Sequence, residues 1–206
     1  MLSAVLVSVV LALTVPSTHG FVLGWGRCPY LPPAKDFSVA DWTSGEWLET
    51  YRFPFLLTRD VTCGRASYSP EQPGQFKFTY KGQRNGVPIE TVDFLYLQQL
   101  SSEASDLEVY HEDFSYLPRL SYRIVEWKPT DSTSGGYFVH FGCKDVLGIF
   151  NLQNLSIYQR QVDFSQLQEI LQSLEDKAIH TINGNSIIAM HPDCPLPEEG
   201  SGYEEP

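Results

Sequence analysis

Long apolar runs are scarce in this chain, and the clear one stands at its start. Leu2 to Val15 is almost wholly apolar, and Pro16-Ser17-Thr18-His19-Gly20 then turns small and polar. Such a run, closed by a small residue, reads as a secretory signal peptide over residues 1–20. It is too short to span a bilayer comfortably, and no later stretch is apolar enough to form an integral membrane segment. No Lys or Arg precedes it, so only the terminal amine supplies positive charge. Basic charge is short throughout: Lys and Arg number 14 against 25 Asp and Glu, a net charge of −11. That balance argues against a nucleic-acid partner, whose phosphates need a basic patch. The sequence also lacks a Cys-x-x-Cys pair and any Cys/His cluster at ligand spacing, which argues against structural zinc. There is no Gly-x-Ser-x-Gly, no His-Glu-x-x-His and no phosphate loop, so no catalytic residue, metal site or cofactor is expected. Internal repeats are absent. Nothing in the sequence fixes an oligomeric state or a receptor.

What is present is a disulfide framework and a strand pattern. The 4 cysteines stand at 28, 63, 143 and 194. In a secreted chain an even, widely spaced set reads as disulfides, with three pairings open. Bridges closing loops of more than about a hundred residues each contribute roughly 4–5 kcal/mol in the chain-entropy description. Residues 21–195 suffice for one domain with a sizeable core. Residues 196–206 are, after Leu196, only Glu, Gly, Ser, Tyr and Pro and cannot bury a core, so a disordered acidic tail is expected.

From Glu46 to Gln161 the pattern is that of strands. Phe76-Lys77-Phe78-Thr79-Tyr80-Lys81 and Arg119-Leu120-Ser121-Tyr122-Arg123-Ile124 alternate with period two. Leu107-Glu108-Val109-Tyr110-His111-Glu112 does so less cleanly. Turn signals at Pro73-Gly74, Asn85-Gly86, Lys128-Pro129 and Gly135-Gly136 punctuate the runs. Short strands at near-regular spacing, with no helices between them, predict an antiparallel all-β sandwich or barrel. One helix is expected over Phe164–Ala178, with Leu167, Ile170, Leu171 and Leu174 at helical spacing and Asp163 or Ser165 as its N-cap. Its polar face is Gln, Glu and Asp, so its apolar stripe reads as a docking face against the sheet and not as a membrane contact.

Several segments together resemble the lipocalins. Gly45-Glu46-Trp47 ahead of a strand is similar to that family's first Gly-x-Trp signature. The leader Phe21-Val22-Leu23-Gly24-Trp25-Gly26-Arg27-Cys28-Pro29 resembles the mature N-terminus of the apolipoprotein D and insecticyanin type. Cys63-Gly64-Arg65-Ala66-Ser67-Tyr68-Ser69 looks like the second strand of that group. Ser156-Ile157-Tyr158-Gln159-Arg160 is similar to the third signature, with its single arginine. The second signature, usually Thr-Asp-Tyr, stands here as Val125-Glu126-Trp127, a departure followed by a longer turn. The resemblance implies an eight-stranded antiparallel up-and-down β-barrel with one C-terminal helix packed outside. It also implies the pairings Cys28–Cys143 and Cys63–Cys194, and a structural role for Gly45, Trp47 and Arg160, the arginine lying across the tryptophan at the closed end. A barrel of this strand number has room for one small ligand at most.

With Trp47 pointing inward, period two turns Glu49, Tyr51 and Phe53 inward as well. The alternating runs add Ala66, Tyr68, Phe76, Phe78, Tyr80, Leu107, Val109, His111, Leu120, Tyr122, Phe138, His140 and Tyr158 as candidate ligand-binding residues. This lining is apolar and aromatic with a few polar tips, the composition of a small-ligand pocket. The same side chains could instead fill a closed core. Glu49, His111 and His140 are the polar exceptions and need partners if buried. Asn154-Leu155-Ser156 is the one Asn-x-Ser/Thr sequon, a glycosylation acceptor expected in the connection entering the strand of Arg160. The resemblance to pigment carriers implies a secreted binder of a fatty acid, sterol, retinoid, carotenoid or bilin. An isomerase of that family needs a free lumen thiol, and here every cysteine matches a disulfide position, so no enzyme is expected. The alternative is an extracellular interaction protein with a filled barrel acting through its loops.

Overall fold

The computed structural model describes residues 22–53, 60–96, 106–109, 120–130, 135–177, 179, 187–188 and 194. The expected signal peptide, the acidic tail and His111 lie outside the described residues. In chain order the elements are β1 (Val22–Trp25), α1 (Val39–Trp42), β2 (Glu46–Arg52), β3 (Val61–Gln72), β4 (Gln75–Arg84) and β5 (Val87–Tyr96). Then follow β6 (Asp106–Val109), β7 (Leu120–Lys128), β8 (Tyr137–Val146), β9 (Phe150–Gln159), α2 (Phe164–Asp176) and β10 (Ile187–Ile188).

From β2 to β9 each strand pairs antiparallel with the next, and β9 pairs again with β2 through Leu48–Gln159 and Arg52–Ser156. The hydrogen-bonded order therefore returns to its start, which removes the open edges a sheet would otherwise present. β1 and β10 add short flanking pairings to β9 and β2. The hairpin joining β4 and β5 shows how the sequence sets the register. Asn85 and Gly86, at φ 53° and 78°, are its only two loop residues. An Asn-Gly pair with both residues left-handed is the turn whose twist matches paired strands.

The strands carry apolar side chains on both faces, because the barrel packs inside and also against a helix. On β8, Phe138 points inward while Val139 and Phe141 point out. The outer layer seats α2 through Leu167, Ile170 and Leu174, all buried. Asp163 caps that helix by accepting from the backbone N–H of Ser165 and Gln166. A polar clamp fixes its far end: Glu126 on β7 accepts from Ser173 Oγ at 2.7 Å and Lys177 Nζ at 2.5 Å. The divergent second signature thus has a concrete role here. A bulge between Ile124 and Glu126 turns both Val125 and Glu126 to the helix side and leaves Trp127 packed inside.

Both disulfides are formed, Cys28–Cys143 and Cys63–Cys194, with sequence separations of 115 and 131. The first ties the leader to the end of β8, and the second ties the chain beyond α2 to β3. No free cysteine remains.

Candidate functional site

The inner wall follows period two on most strands. Ala66 and Tyr68 of β3, Phe76, Phe78 and Tyr80 of β4, Tyr122 of β7, Phe138 of β8 and Tyr158 of β9 all belong to one inward cluster. β2 departs from this pattern. Trp47 belongs to the inward cluster, and Glu49 reaches inside to Tyr80, but Tyr51 and Phe53 pack outside against the α2 layer. The expected inward placement of Tyr51 and Phe53 is therefore corrected. The cause is a bulge between Glu49 and Tyr51, which places an extra residue on one strand and reverses the alternation beyond it. Arg52 takes the inward place instead.

That reversal builds a buried polar layer across the barrel. Arg52 Nη1 donates to Glu49 Oε2 at 2.5 Å and to Tyr80 Oη at 3.1 Å, and Nη2 donates to the Val61 carbonyl. Tyr80 Oη donates to the same Glu49 oxygen at 2.5 Å, and Ser156 Oγ donates to Glu49 Oε1 at 2.9 Å. Both carboxylate oxygens are thus occupied, as burial demands. Burial alone would lower the Arg52 pKa, but the facing charge of Glu49 raises it overall. Burial first, then Glu49, pushes the Tyr80 phenol well up, so it stays protonated and donates. Gly64 makes the layer possible: a Cβ there would stand 2.3 Å from Tyr80 Oη and 2.9 Å from Glu49 Oε2.

A second polar group sits beside the first. His140 stacks at a tilt on Tyr122, ring centroids 4.6 Å apart, and its Nε2 is buried without a hydrogen-bond partner. Burial pushes its imidazole down to about 3, so it is neutral at physiological pH. Tyr122 Oη accepts from Asn154 Nδ2 at 3.2 Å. This corrects the expectation for the sequon. Asn154 lies within β9, opposite Gly142, and not in a connection. Its amide nitrogen, the atom a glycan would occupy, is buried and donates to the Tyr122 hydroxyl. Asp93 completes the group. It pairs with inward Phe78 and lies two residues from buried Leu95, and its charge adds to the burial that raises the Tyr122 phenol.

The opposite end is packed with rings. Trp42, delivered by α1, stacks on Tyr68 at 4.1 Å, and Trp47 meets Phe138 edge-on at 4.9 Å. Phe37 and Trp127 close the layer at 5.0 Å. Arg160 lies over Trp47, its guanidinium carbon 3.5 Å from the ring centroid. The same guanidinium donates to the carbonyls of Glu46 and Asp41 at 2.8 and 2.7 Å, holding α1 against the barrel. Gly45, at φ 64°, makes the left-handed turn into β2. Gly45, Trp47 and Arg160 thus meet at one packed corner of the barrel.

For Leu107, Val109 and Leu120 the structure gives backbone register: Leu107 pairs with Tyr122, and Val109 with Leu120. Arg52, Asp93, Asn154, Ser156, Trp42 and Trp127 are inner-wall residues that reading the sequence missed. Asn154 and Ser156 were within reach, since both stand an even number of residues before inward Tyr158.

No protein-family model and no curated protein matches the chain by sequence. By structure it is similar to insecticyanin from the tobacco hornworm Manduca sexta, with a TM-score of 0.65 and 14% identity over 85% of this chain and 93% of that one. Lobster apocrustacyanin A1 is similar with a TM-score of 0.63 and 14% identity, over 86% and 93%. Apocrustacyanin C2 gives 0.65 and 15%, over 88% and 96%. These likenesses show the fold, which is that of the lipocalins.

Proposed function

We propose that this lipocalin-fold barrel is a secreted carrier that holds one small hydrophobic ligand in its lumen. The observation that carries the reading is a contrast along the inner wall. Rings are buried against one another at the Trp47 end, whereas Phe78, Asp93, His140 and Ser156 face inward and still keep partial accessibility. Inward side chains that are not sealed by neighbours line space, and an aromatic wall with a few polar tips is the usual make-up of a ligand pocket. The apolar leader and the two long-range disulfides support secretion. Fatty acids, sterols, retinoids, carotenoids and bilins all suit such a wall. With all four cysteines bridged, no thiolate is present to act as a nucleophile, and no enzymatic step is proposed.

A second reading, a filled barrel that acts through its surface, draws on the same ring-on-ring packing and on exposed Trp25, Leu147 and Ile149 near one rim. Solvent extraction of protein secreted from its natural source, followed by mass spectrometry, separates the two. A stoichiometric apolar molecule supports the carrier. An empty extract, together with no binding of retinol, a fluorescent fatty acid or biliverdin at about 10 μM or below, favours the filled barrel.

A further inference from the structure

Two hairpin tips share one backbone shape and differ in residue. In the β4–β5 hairpin Asn85 and Gly86 stand at φ 53° and 78°, and in the β8–β9 hairpin Leu147 and Gly148 stand at φ 54° and 70°. The left-handed region suits asparagine and glycine and strains a leucine. Leu147 is also 86% exposed. It costs the fold twice, in backbone strain and in apolar surface left in water, and the second cost is recovered only where the side chain leaves water. Leu147 does not stand alone. Ile149 on the same tip is exposed, and so is Trp25, whose strand partner is Phe150. The Gly26 N–H donates to the Ile149 carbonyl at 2.7 Å, which fixes the leader beside the tip. Val87, at the foot of the other hairpin, is exposed as well. Successive antiparallel pairing from β2 to β9 puts both hairpins at one end of the barrel and the Trp47–Arg160 corner at the other.

This end suits a lipid surface better than a protein partner. Among the described residues, its exposed apolar side chains project from two sites on either side of the barrel opening. They form no continuous face of the roughly 800 Å² per partner that a stable protein interface buries. Separate side chains can each enter a fluid interface, and an indole is at home at headgroup level. The charge agrees. The chain carries −11 overall, yet Arg27, Arg84 and Lys144 stand around this end against Asp60 and Asp145. The Asp145 carboxylate is occupied, accepting from the Cys28 N–H at 2.6 Å. Arg84 and Lys144 fall on the inner faces of β4 and β8 by strand alternation, so positive charge flanks the opening itself. Cationic side chains beside inserted apolar ones draw anionic headgroups.

We propose that this end of the barrel docks on an anionic lipid surface, with Leu147, Ile149 and Trp25 inserted and the opening turned toward the lipid. The docking does not depend on the carrier reading, and it is measured with no ligand present. The test adds vesicles of phosphatidylcholine and phosphatidylserine to the secreted protein, with vesicles of phosphatidylcholine alone beside them. Of the 4 tryptophans, Trp42 and Trp47 are buried and Trp127 packs inside, so a blue shift of emission reports Trp25. The mixed vesicles should produce that shift at lower lipid than the neutral ones, and added salt should narrow the difference. Leu147→Asn should weaken partitioning by about tenfold, the loss of one inserted apolar side chain. Its Tm should hold or rise, because asparagine suits the backbone there. A merely structural residue would not move the two readouts apart in this way. Ile149→Ser should weaken partitioning in the same direction. Phe164→Ser removes an exposed ring at the start of α2, beyond the far end of β9, and should leave partitioning within about twofold. No blue shift with either vesicle overturns the proposal, as does a Leu147→Asn protein that partitions like wild type. Self-association in sedimentation that Leu147→Asn abolishes, with no vesicle binding, overturns it in favour of a second copy of the chain.

Discussion

Glu49 and Arg52, three residues apart on one strand, meet inside the barrel at 2.5 Å. In regular pleating two residues three apart face opposite sides of a sheet. Here Thr50 and Tyr51 both turn outward, Thr50 Oγ1 donating to the Ile157 carbonyl and Tyr51 packing under α2. One bulge therefore does two things. It gives the helix an aromatic to dock on, and it brings a cation inside to neutralise the buried glutamate.

A pair so buried is asymmetric in its energetics. Removing one partner strands the other charge, whereas removing both for apolar groups of similar volume can be nearly neutral. Glu49→Gln should cost about 3–5 kcal/mol in urea unfolding, and the double variant Glu49→Leu with Arg52→Met should recover most of it. A single variant within about 0.5 kcal/mol of wild type would show that water reaches the pair.

The same pair marks where sequence reading stops. Period two placed Phe76, Phe78 and Tyr80 correctly, because β4 pairs with β5 without interruption from Gln75 to Arg84. It failed on β2 because a bulge leaves no compositional trace in Glu-Thr-Tyr-Arg, where polar and aromatic residues fit either face. Helix α2 was legible from its leucine spacing, but its partner surface was not, since that surface is built from outward residues of four strands. Asp93 was hidden for a related reason: Val92, Phe94 and Leu95 around it do not alternate.

Arg160 should behave as a strut. Its stacking on Trp47 contributes about 0.5–2 kcal/mol, and its bonds to the Asp41 and Glu46 carbonyls hold α1 in place. Arg160→Ala is expected to lower Tm by several degrees while ligand affinity, measured well below Tm, changes less than about twofold. Loss of affinity at unchanged Tm would reassign Arg160 to the site.

His140 makes stability pH-dependent in a defined direction. Burial holds its folded-state pKa at about 3, while the unfolded chain titrates near 6.5. Between those values the unfolded state binds more protons, so stability is complete above about pH 6.5 and falls as pH drops, by up to about 1.4 kcal/mol per unit. Tyr122 on β7 and Asn154 and Ser156 on β9 are inward polar groups on the flanking strands, and Glu49 stands behind Ser156. Other acids titrate in the same window, so the quantity to follow is the stability difference between wild type and His140→Phe. It should shift against wild type by roughly 2–3 kcal/mol between pH 7 and pH 4. A difference independent of pH would mean that the imidazole takes up its proton in the folded barrel.

The lining itself is tested by contrasting the two faces of one strand. Tyr122 points inward, touching His140 and Asn154, while its neighbour Arg123 points out and donates to the Leu31 carbonyl of the leader at 2.5 Å. Tyr122→Leu keeps the wall apolar but removes a ring face and a hydroxyl, and Phe78→Leu removes a ring face alone. Each should weaken retinol by up to about tenfold, the loss of 0.5–1.5 kcal/mol of stacking, with Tyr122→Leu the larger because the hydroxyl goes too. Arg123→Gln loosens the leader and should lower Tm slightly, yet leave affinity within error. The comparison is decisive because all three changes fall in the same sheet, so a general softening of the barrel would move them together. Equal losses from Tyr122→Leu and Arg123→Gln would mean that binding lies outside the barrel, on the surface that carries Arg123.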